Sequence, residues 1–487
     1  MKISPEAAKL RSREANTSPE AAKPRSCGAQ TDRLMGSFNL GTRFLLFIAL
    51  FFASTLLLAQ SSRGKTKILT ARVESPGPIA IRGAKLLTIT HGVIENGVLV
   101  MENGKITAIG GAGTAIPRGA QVIDASGMTV YPGLIDSETN LGLTEIEAVR
   151  ASNDIVEPTE EIFPNMHVFD AFHAETERIP VTRFNGVTNA IVAPGSADSI
   201  PGQDIFIQLA GKDRDEMVML RDNALPLNMN GSQRRRGGRG IEGAHFPSTR
   251  MGVAEQVRQA FLDAQDYEAR QQAAAKSGKG EPFKRDLKME ALLPYLHGQR
   301  PVVIGAEEPT DLETAMSIAH EFNLKVILNH VTHAQEILDE VASWHVPVVF
   351  GPIYDFPKPN ERYDAVYSMP AELAKRGVKL AFASYRVENN RNLPYEAGYA
   401  VAFGLPYDDA LKSVTLNAAE IWGVADKLGS LDVGKLGNVV IANGDPLDVK
   451  TTVKQVFIDG REIPMENRQT RLRDQYGGVP PEPAPAH

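Results

Sequence analysis

The chain of 487 residues contains a single cysteine, Cys27, which lies in the N-terminal tail. The remainder can therefore form no intramolecular disulfide and offers no thiolate as a nucleophile or a metal ligand. A surplus of positive charge is also missing, because the formal charge is -7 and residues 1–59 hold eight Lys or Arg against four Asp or Glu. About -11 remains beyond those residues, so we expect no nucleic-acid partner.

One uncharged apolar run of about 15 residues occupies residues 44–58 and follows Arg43. It is shorter than the ~20 residues that a helix needs to cross a bilayer. It predicts a secretory signal peptide over residues 35–59, a mature chain that begins near Gln60, and a periplasmic or secreted protein. An uncleaved N-terminal anchor is the alternative, and only that would hold the protein at a membrane.

The two extremities have biased compositions. Residues 1–34 contain a near repeat, SPEAAKLRS and then SPEAAKPRS, and indicate a disordered leader or a misassigned start. Met35 begins a more ordinary signal peptide than Met1 does. Residues 475–487 are rich in Pro and predict a disordered tail.

Two segments that flank the middle of the chain have the composition of β-hairpins. Residues 66–130 and residues 425–465 combine short β-branched runs with Gly and Asn-Gly pairs. Because a lone hairpin is marginal in water, we predict that the two segments pack together as one small composite β-sandwich. The middle of the chain is then an insertion between them.

Residues 131–424 alternate short apolar runs with amphipathic helical stretches, which indicates βα units and a parallel sheet. The clearest strands are at residues 190–193, 302–305, 325–330, 348–351 and 379–384. We predict the α/β class and a (β/α)8 TIM-like barrel, with its active site at the carboxyl ends of the strands. The pattern alone leaves an open doubly wound sheet as the alternative.

The sequences at the two ends of this region are specific. They read GKITAIG (104–110), VIDASGMTVYPGLID (122–136), TLNAAEIWGV (415–424), GSLDVGKLGNVVIANGDPL (429–447) and VFIDG (456–460). Together they closely resemble the amidohydrolase superfamily, near its imidazolonepropionase-like subgroup. The resemblance implies a metal-bearing barrel with a composite β-sandwich. It also implies a hydrolase of non-peptide carbon–nitrogen bonds, with cyclic amides or N-acyl and dipeptide-like substrates.

The resemblance also assigns the metal positions. In this superfamily one or two divalent ions, usually zinc, polarise the substrate carbonyl and activate a water molecule. The ions are held by several imidazoles and a carboxylate. In this chain Glu138, Asn140 and Gly305 stand where His is expected, Tyr385 stands where Asp is expected, and His330 is retained. We therefore predict that metal is absent or weakly bound, with His330 and Glu138 as the plausible residual ligands.

Five further side chains follow barrel strands and are candidates for the rim of the site: Glu307, Glu308, His333, Arg386 and Glu388. A carboxylate beside an imidazole can act as an acid/base pair, so a metal-free active site is one interpretation. A solvated cleft without any reaction is the other. His330 and His333 are, in the same way, either imidazoles of the barrel mouth or histidines hydrogen-bonded within βα loops.

Two functions are therefore open. The first is an amidohydrolase-family hydrolase that acts on a small molecule outside the cytoplasm. The second is a catalytically silent homologue that binds a small ligand, or that pairs with an active, metal-containing paralogue. A homo-oligomer is possible in the first case and a hetero-oligomer in the second.

Overall fold

The computed structural model describes residues 77–230, 246–277 and 283–477. Contacts divide the chain into two units, Met1–Val73 and Glu74–His487. The first unit lies outside the described residues, so the fold below is that of the second.

The predictions for the extremities fall mostly outside this range. The leader (residues 1–34) and the signal peptide (residues 35–59) lie outside the described residues, as does most of the tail (residues 475–487). The predicted disorder is wrong for the first two residues of the tail, because a helix covers Arg468–Tyr476. A capping box at Asn467 begins this helix, and that local signal outweighs the Pro-rich composition farther on. Within the described ranges, no helix has both the length and the apolar character needed to cross a bilayer.

The described residues form strands and helices in alternation. The strands are β1 Ile79–Leu87, β2 Val93–Glu102, β3 Lys105–Gly110, β4 Gln121–Asp124, β5 Thr129–Pro132, β6 Leu134–Thr139, β7 Val187–Val192, β8 Ile205–Gln208, β9 Val218–Leu220, β10 Leu225–Asn228, β11 Val302–Ala306, β12 Val326–His330, β13 Val348–Phe350, β14 Leu380–Phe382, β15 Val439–Ala442, β16 Val453–Ile458 and β17 Arg461–Ile463. The helices are α1 Val168–Ala171, α2 Arg178–Arg183, α3 Arg214–Met217, α4 Arg250–Ser277, α5 Leu287–Leu296, α6 Pro309–Glu321, α7 Leu338–Ser343, α8 Ala365–Lys375, α9 Leu393–Ala402, α10 Tyr407–Ser413, α11 Leu416–Ile421 and α12 Arg468–Tyr476.

Strands from both flanking segments form one eight-stranded sheet. Its order is β17-β16-β15-β5-β1-β2-β3, and β4 pairs with the first half of β1. The edge strand β3 turns back to the segment that leads into β15, where the Ile106 amide donates to the Lys435 carbonyl at 2.9 Å. The sheet therefore curls around a core of its own, in which Ile81, Leu99 and Phe457 are fully buried. This is the predicted composite β unit, built from the two flanking segments.

The middle of the chain closes into a barrel, which confirms the predicted fold class. Strands β10 to β14 are parallel, and β6 is parallel to β7. The Tyr385 amide donates to the Glu138 carbonyl at 2.9 Å, which joins the end of β14 to β6 and closes the ring. A closed ring excludes the open doubly wound alternative.

The third position of the barrel departs from an all-parallel pattern. Strand β8 is antiparallel to β7, and the segment just before β8 lies beside β10, where the Asn228 amide donates to the Ser199 carbonyl at 2.9 Å. Residues 193–204 connect β7 to β8 without a helix. An antiparallel neighbour needs no helical crossover, which explains the direct connection.

Alternating strand residues divide the barrel into an inner and an outer layer. The inner layer contains Ile135, Ile191, Phe206, Val303, Ile327, Val349 and Ala381, with Tyr385 at its edge. The outer layer packs against the helices in a larger apolar cluster. Since the interior is filled, polar side chains can converge only at the carboxyl ends of the strands, which we call the barrel mouth.

Candidate functional site at the barrel mouth

Strand β6 brings two carboxyl groups to the barrel mouth. Asp136 is fully buried, and the Ser384 amide and hydroxyl donate to its oxygens at 2.9 and 2.5 Å. Burial raises the pKa of Asp136 to about 7, although the Ser384 donors oppose that rise. Burial, together with the charge of Asp136, raises the pKa of Glu138 to about 8. At neutral pH Glu138 is therefore mostly protonated.

A hydrogen-bonded chain runs from Tyr385 through Asn329 to Glu138. The Tyr385 hydroxyl donates to Asn329 Oδ1 at 2.7 Å, and Asn329 Nδ2 donates to Glu138 Oε2 at 2.6 Å. The other oxygen of Glu138, Oε1, has no hydrogen-bond partner among the described residues, and the side chain is only partly buried. The chain thus fixes one oxygen of Glu138 and leaves the other for a ligand.

His330 packs directly against this chain. Its ring stacks on that of Tyr385, with centroids 4.4 Å apart and planes inclined by 21°. His330 Nδ1 lies 3.0 Å from the Gly351 carbonyl, and since a carbonyl can only accept, Nδ1 carries the proton and Nε2 remains a proton acceptor.

The backbone at this stacked pair is unusual. His330 and Tyr385 have φ values of 70° and 57°, in the left-handed region that residues other than glycine adopt infrequently. Such conformations cost free energy and cluster at functional sites. This supports a functional assignment for the pair.

Glu396, on α9, adds a third carboxyl group behind Tyr385. The side chain is 0% exposed, and a Cβ placed on Gly351 would lie 3.5 Å from Glu396 Oε2 and 2.9 Å from the Tyr385 ring. Burial raises the pKa of Glu396 well above its usual range, and the Ile353 amide offsets this only in part. Within the described residues, no donor meets hydrogen-bonding geometry with either oxygen.

Three of the residues predicted from the sequence come together here: Glu138, His330 and Tyr385. Asn140 does not join them, because its side-chain amide donates to the Ala193 carbonyl at 2.9 Å. It ties the end of β6 to the end of β7.

The two predicted acidic rim residues are engaged elsewhere. Glu307 exchanges two hydrogen bonds with Asn230, at 3.0 and 3.2 Å. Glu308 forms ion pairs with Arg250 and with Lys358, the latter at 2.7 Å. Glu307 thus joins the loops after the neighbouring strands β10 and β11, whereas Glu308 joins its loop to the start of α4 and to the loop after β13.

The remaining rim candidates also have partners away from this hydrogen-bonded chain. His333 is buried, and its Nδ1 lies 2.9 Å from Glu361 Oε2. Arg386 and Glu388 are exposed and lie 4.0 Å apart. The structure therefore places these three side chains outside the Tyr385–Asn329–Glu138 chain.

Sequence reasoning missed Asp136, Asn329 and Glu396. Asn329 had a usable signal, because it is a polar residue that interrupts the apolar run of β12 just before His330. Asp136 stands out in the sequence only as the last residue of PGLID. Glu396 has no local signal, since only the fold brings α9 behind the barrel mouth.

The divalent metal that the resemblance implies does not fit these residues. Among the described residues, no group of three or more His, Cys, Asp or Glu side chains could hold a metal ion. The hydroxyl of Tyr385 is already committed to Asn329. At Gly305 a Cβ would lie 3.1 Å from Asn228 Oδ1 and 3.5 Å from the His330 ring, so an imidazole there would be crowded.

Comparisons with known proteins agree with the fold. Residues 299–463 match the model of the amidohydrolase family. A solved amidohydrolase from Thermotoga maritima is 30% identical with a TM-score of 0.74, and the alignment covers 79% of this chain and 99% of that one. Amidohydrolase tasK of Hapsidospora irregularis is 27% identical over 388 residues, which cover 76% of this chain but only 39% of tasK.

A shorter match points to the predicted subgroup. An imidazolonepropionase from Geobacillus kaustophilus is 48% identical over 56 residues, which are 10% of this chain and 13% of that protein. The resemblance seen in the flanking sequences is thereby confirmed. Since the likeness to the Thermotoga maritima protein extends over almost all of that protein in both sequence and fold, the chain belongs to the amidohydrolase family.

Proposed function

We propose that this chain hydrolyses a carbon–nitrogen bond, other than a peptide bond, in a small molecule bound at the barrel mouth. Cyclic amides and N-acyl or dipeptide-like compounds are the proposed substrates. Family membership supports the reaction class. The observation that carries the proposal is the Tyr385–Asn329–Glu138 chain, which leaves Glu138 Oε1 without a partner in a site that also holds His330.

The residues present suffice for acid–base hydrolysis. His330 Nε2 takes a proton from water, whose oxygen attacks the substrate carbonyl carbon. The carbon–nitrogen bond then breaks as Glu138 gives its proton to the leaving nitrogen, so an acid and an amine are formed. The imidazolium returns its proton to Glu138 through solvent. Burial, which raises the pKa of Glu138 to about 8, keeps the proton available at neutral pH.

Turnover of a panel of small amides by the purified full chain tests this proposal. We expect hydrolysis that persists after chelator treatment and falls about 100-fold or more in Glu138→Gln and in His330→Asn. Glu388→Gln is the matched control, because Glu388 is exposed beside Arg386, and it should retain the wild-type rate. No turnover, or equal rates in all the variants, would contradict the proposal.

A second function, a catalytically silent homologue, is favoured by the altered ligand positions. The side-chain amide of Asn140 and the hydroxyl of Tyr385 form hydrogen bonds within the protein, and Gly305 has no side chain that could bind a metal. Such a protein would bind a small ligand, alone or as a homo-oligomer, or pair with a paralogue that keeps the His-x-His motif. A pull-down with the tagged full chain from its native host would recover that paralogue, and an absence of turnover in the isolated chain would accompany it.

We also propose that the protein is exported to the periplasm or out of the cell. The apolar run at residues 44–58 supports this. Cell fractionation and N-terminal sequencing test it, and we expect a mature chain that begins near Gln60. Recovery of an unprocessed chain in the membrane fraction would favour the anchor instead, and recovery in the cytoplasm would contradict export.

A further inference from the structure

We infer that two copies of this chain associate through the first half of α4, which packs antiparallel against the same helix of the second copy. This contact defines the surface and the partner of a homodimer, and it does not depend on the proposed function. It follows from four side chains on the exposed face of α4.

Four side chains form a stripe along one face of α4: Met251, Glu255, Arg258 and Leu262. An α-helix turns by about 100° per residue, so the positions 4, 7 and 11 residues beyond Met251 lie with it inside a sector of about 60°. All four side chains line one open groove between α4 and the first turns of α6. They are therefore one continuous surface, which we call the α4 stripe.

Both ends of the α4 stripe are apolar and exposed. Met251 is 80% exposed and Leu262 is 46% exposed, whereas Val253 and Val257 on the opposite face of the helix are fully buried. A single exposed apolar side chain is ordinary. Two that share one groove form a larger surface, whose burial stabilises a contact by about 25 cal/mol for each Å². The α4 stripe thus favours a partner that is apolar at both ends.

The two residues between these ends have charges of opposite sign. Glu255 forms no hydrogen bond or ion pair within the part of the chain that the structure describes. Arg258 Nε donates to Glu321 at 2.8 Å, and the two terminal nitrogens of Arg258 have no hydrogen-bond partner among the described residues. A partner therefore has to offer a cation to Glu255 and an acceptor to Arg258.

A second copy of α4 that runs in the opposite direction meets all of these requirements. Met251 and Leu262 are centred on the point midway between residues 256 and 257, and the two charged residues are centred on the same point. A two-fold axis there sets Met251 against Leu262 of the second copy. It also sets Glu255 against Arg258 of the second copy, and each contact occurs twice. A parallel arrangement would instead set Glu255 against Glu255, which is repulsive.

Sedimentation analysis of the full chain, as wild type and with one charge of the α4 stripe reversed, tests the inference. We expect a wild-type dimer at about 10–100 μM. Glu255→Arg and Arg258→Glu should each weaken it about tenfold or more, because the two-fold axis turns both attractive pairs into repulsive ones. An equimolar mixture of the two variants should recover the dimer, since both pairs then have opposite charges again. Glu95→Arg, at a 74% exposed side chain of the composite sheet, is the matched control and should leave the dimer unchanged.

Disulfide trapping tests the register, in chains that carry Cys27→Ser to remove the only native cysteine. Mild oxidation should join chains with Met251→Cys to chains with Leu262→Cys, because the antiparallel register sets these two positions against each other. Neither variant alone should be trapped, since equal positions lie about 16 Å apart along the helices. Trapping decides the question even if a charge reversal fails to fold.

A wild-type chain that stays monomeric at about 100 μM would overturn the inference. A dimer that neither charge reversal weakens would also overturn it, because such a dimer uses another surface. So would a mixture of the two folded variants that does not recover the dimer. Disulfides in either cysteine variant alone, or none in their mixture, would contradict the antiparallel register. A dimer without turnover of any amide would defeat the proposed hydrolase and leave this inference intact.

Discussion

Replacement of Asp136 by Asn should remove part of the pH dependence of the free energy of unfolding. Asp136 is 0% exposed, and its two oxygens accept from the Ser384 amide and hydroxyl. An Asn side chain has the same shape, and its oxygen can accept from the amide while its nitrogen donates to the hydroxyl. The hydroxyl of Ser384 then donates to Asn390 Oδ1, which lies 2.8 Å away. The variant therefore removes a titration and keeps the hydrogen bonds.

The sign and size of the effect follow from the pKa of this carboxyl group. Its pKa rises from 3.8 to about 7 on folding, chiefly through burial. Between these two values the folded chain binds more protons than the unfolded chain, so the free energy of unfolding falls as pH rises. At about 1.36 kcal/mol for each pKa unit, the loss amounts to at most about 4 kcal/mol and is complete above about pH 7. Asp136→Asn has no carboxyl group to titrate at this position, so its free energy of unfolding should match that of wild type near pH 4 and exceed it at pH 8.

Urea unfolding of the full chain and of the variant across about pH 4 to 8 measures this difference. Asp124→Asn is the matched control at an exposed site, where the Ser126 hydroxyl and amide lower the pKa of the carboxyl group. A lowered pKa adds stability that is lost only as pH falls below the unfolded value of 3.8, so the difference between Asp124→Asn and wild type should stay flat across this range. A difference between Asp136→Asn and wild type that stays flat, or shrinks, as pH rises would refute the reasoning.

Three further outcomes concern the same site. Tyr385→Phe removes the hydroxyl that donates to Asn329 but keeps the ring that stacks on His330. It should lower the free energy of unfolding in urea by about 1 kcal/mol, and a loss several times larger would assign the hydroxyl another role. Gly305→His restores the expected imidazole, yet its Cβ would lie 3.1 Å from Asn228 Oδ1. We therefore expect the free energy of unfolding to fall by about 1–3 kcal/mol, and no metal to be retained after desalting. Excess zinc should leave the thermal midpoint of the wild-type chain unchanged, because only an ion that binds the folded state raises it, and a rise of several degrees would contradict the misfit of the donor set.

Much of the fold followed from local patterns. The predicted strands at residues 302–305 and 348–351 overlap β11 and β13, because short apolar runs between helices carry their own signal. The direction of β8 could not be predicted, since an apolar strand has the same pattern whether it runs up or down. The single continuous composite sheet likewise depends on hydrogen bonds between β5 and β15, more than 300 residues apart.

The site was predictable only where a motif position coincided with a strand end. Glu138, His330 and Tyr385 were found in that way, and the structure joins them through Asn329. The residues joined by the hydrogen bond between Asn329 and Glu138 lie 191 positions apart, so the sequence around either residue does not identify its partner. The sequence could not show whether a charged residue after a strand faces the site or pairs with another loop, as Glu308 does with Lys358.

The position of β5 within the composite sheet has a consequence for how the chain is made. On one side β5 pairs with β1 over two residue pairs, and on the other it pairs with β15 over four. While the ribosome is still adding the barrel, β5 has an unpaired edge that can recruit strands of other chains. Only the emergence of residues from Val439 onward seals that edge. Shortening the protein from its C-terminus would thus split the sheet at an interior strand and leave the nascent chain prone to aggregation.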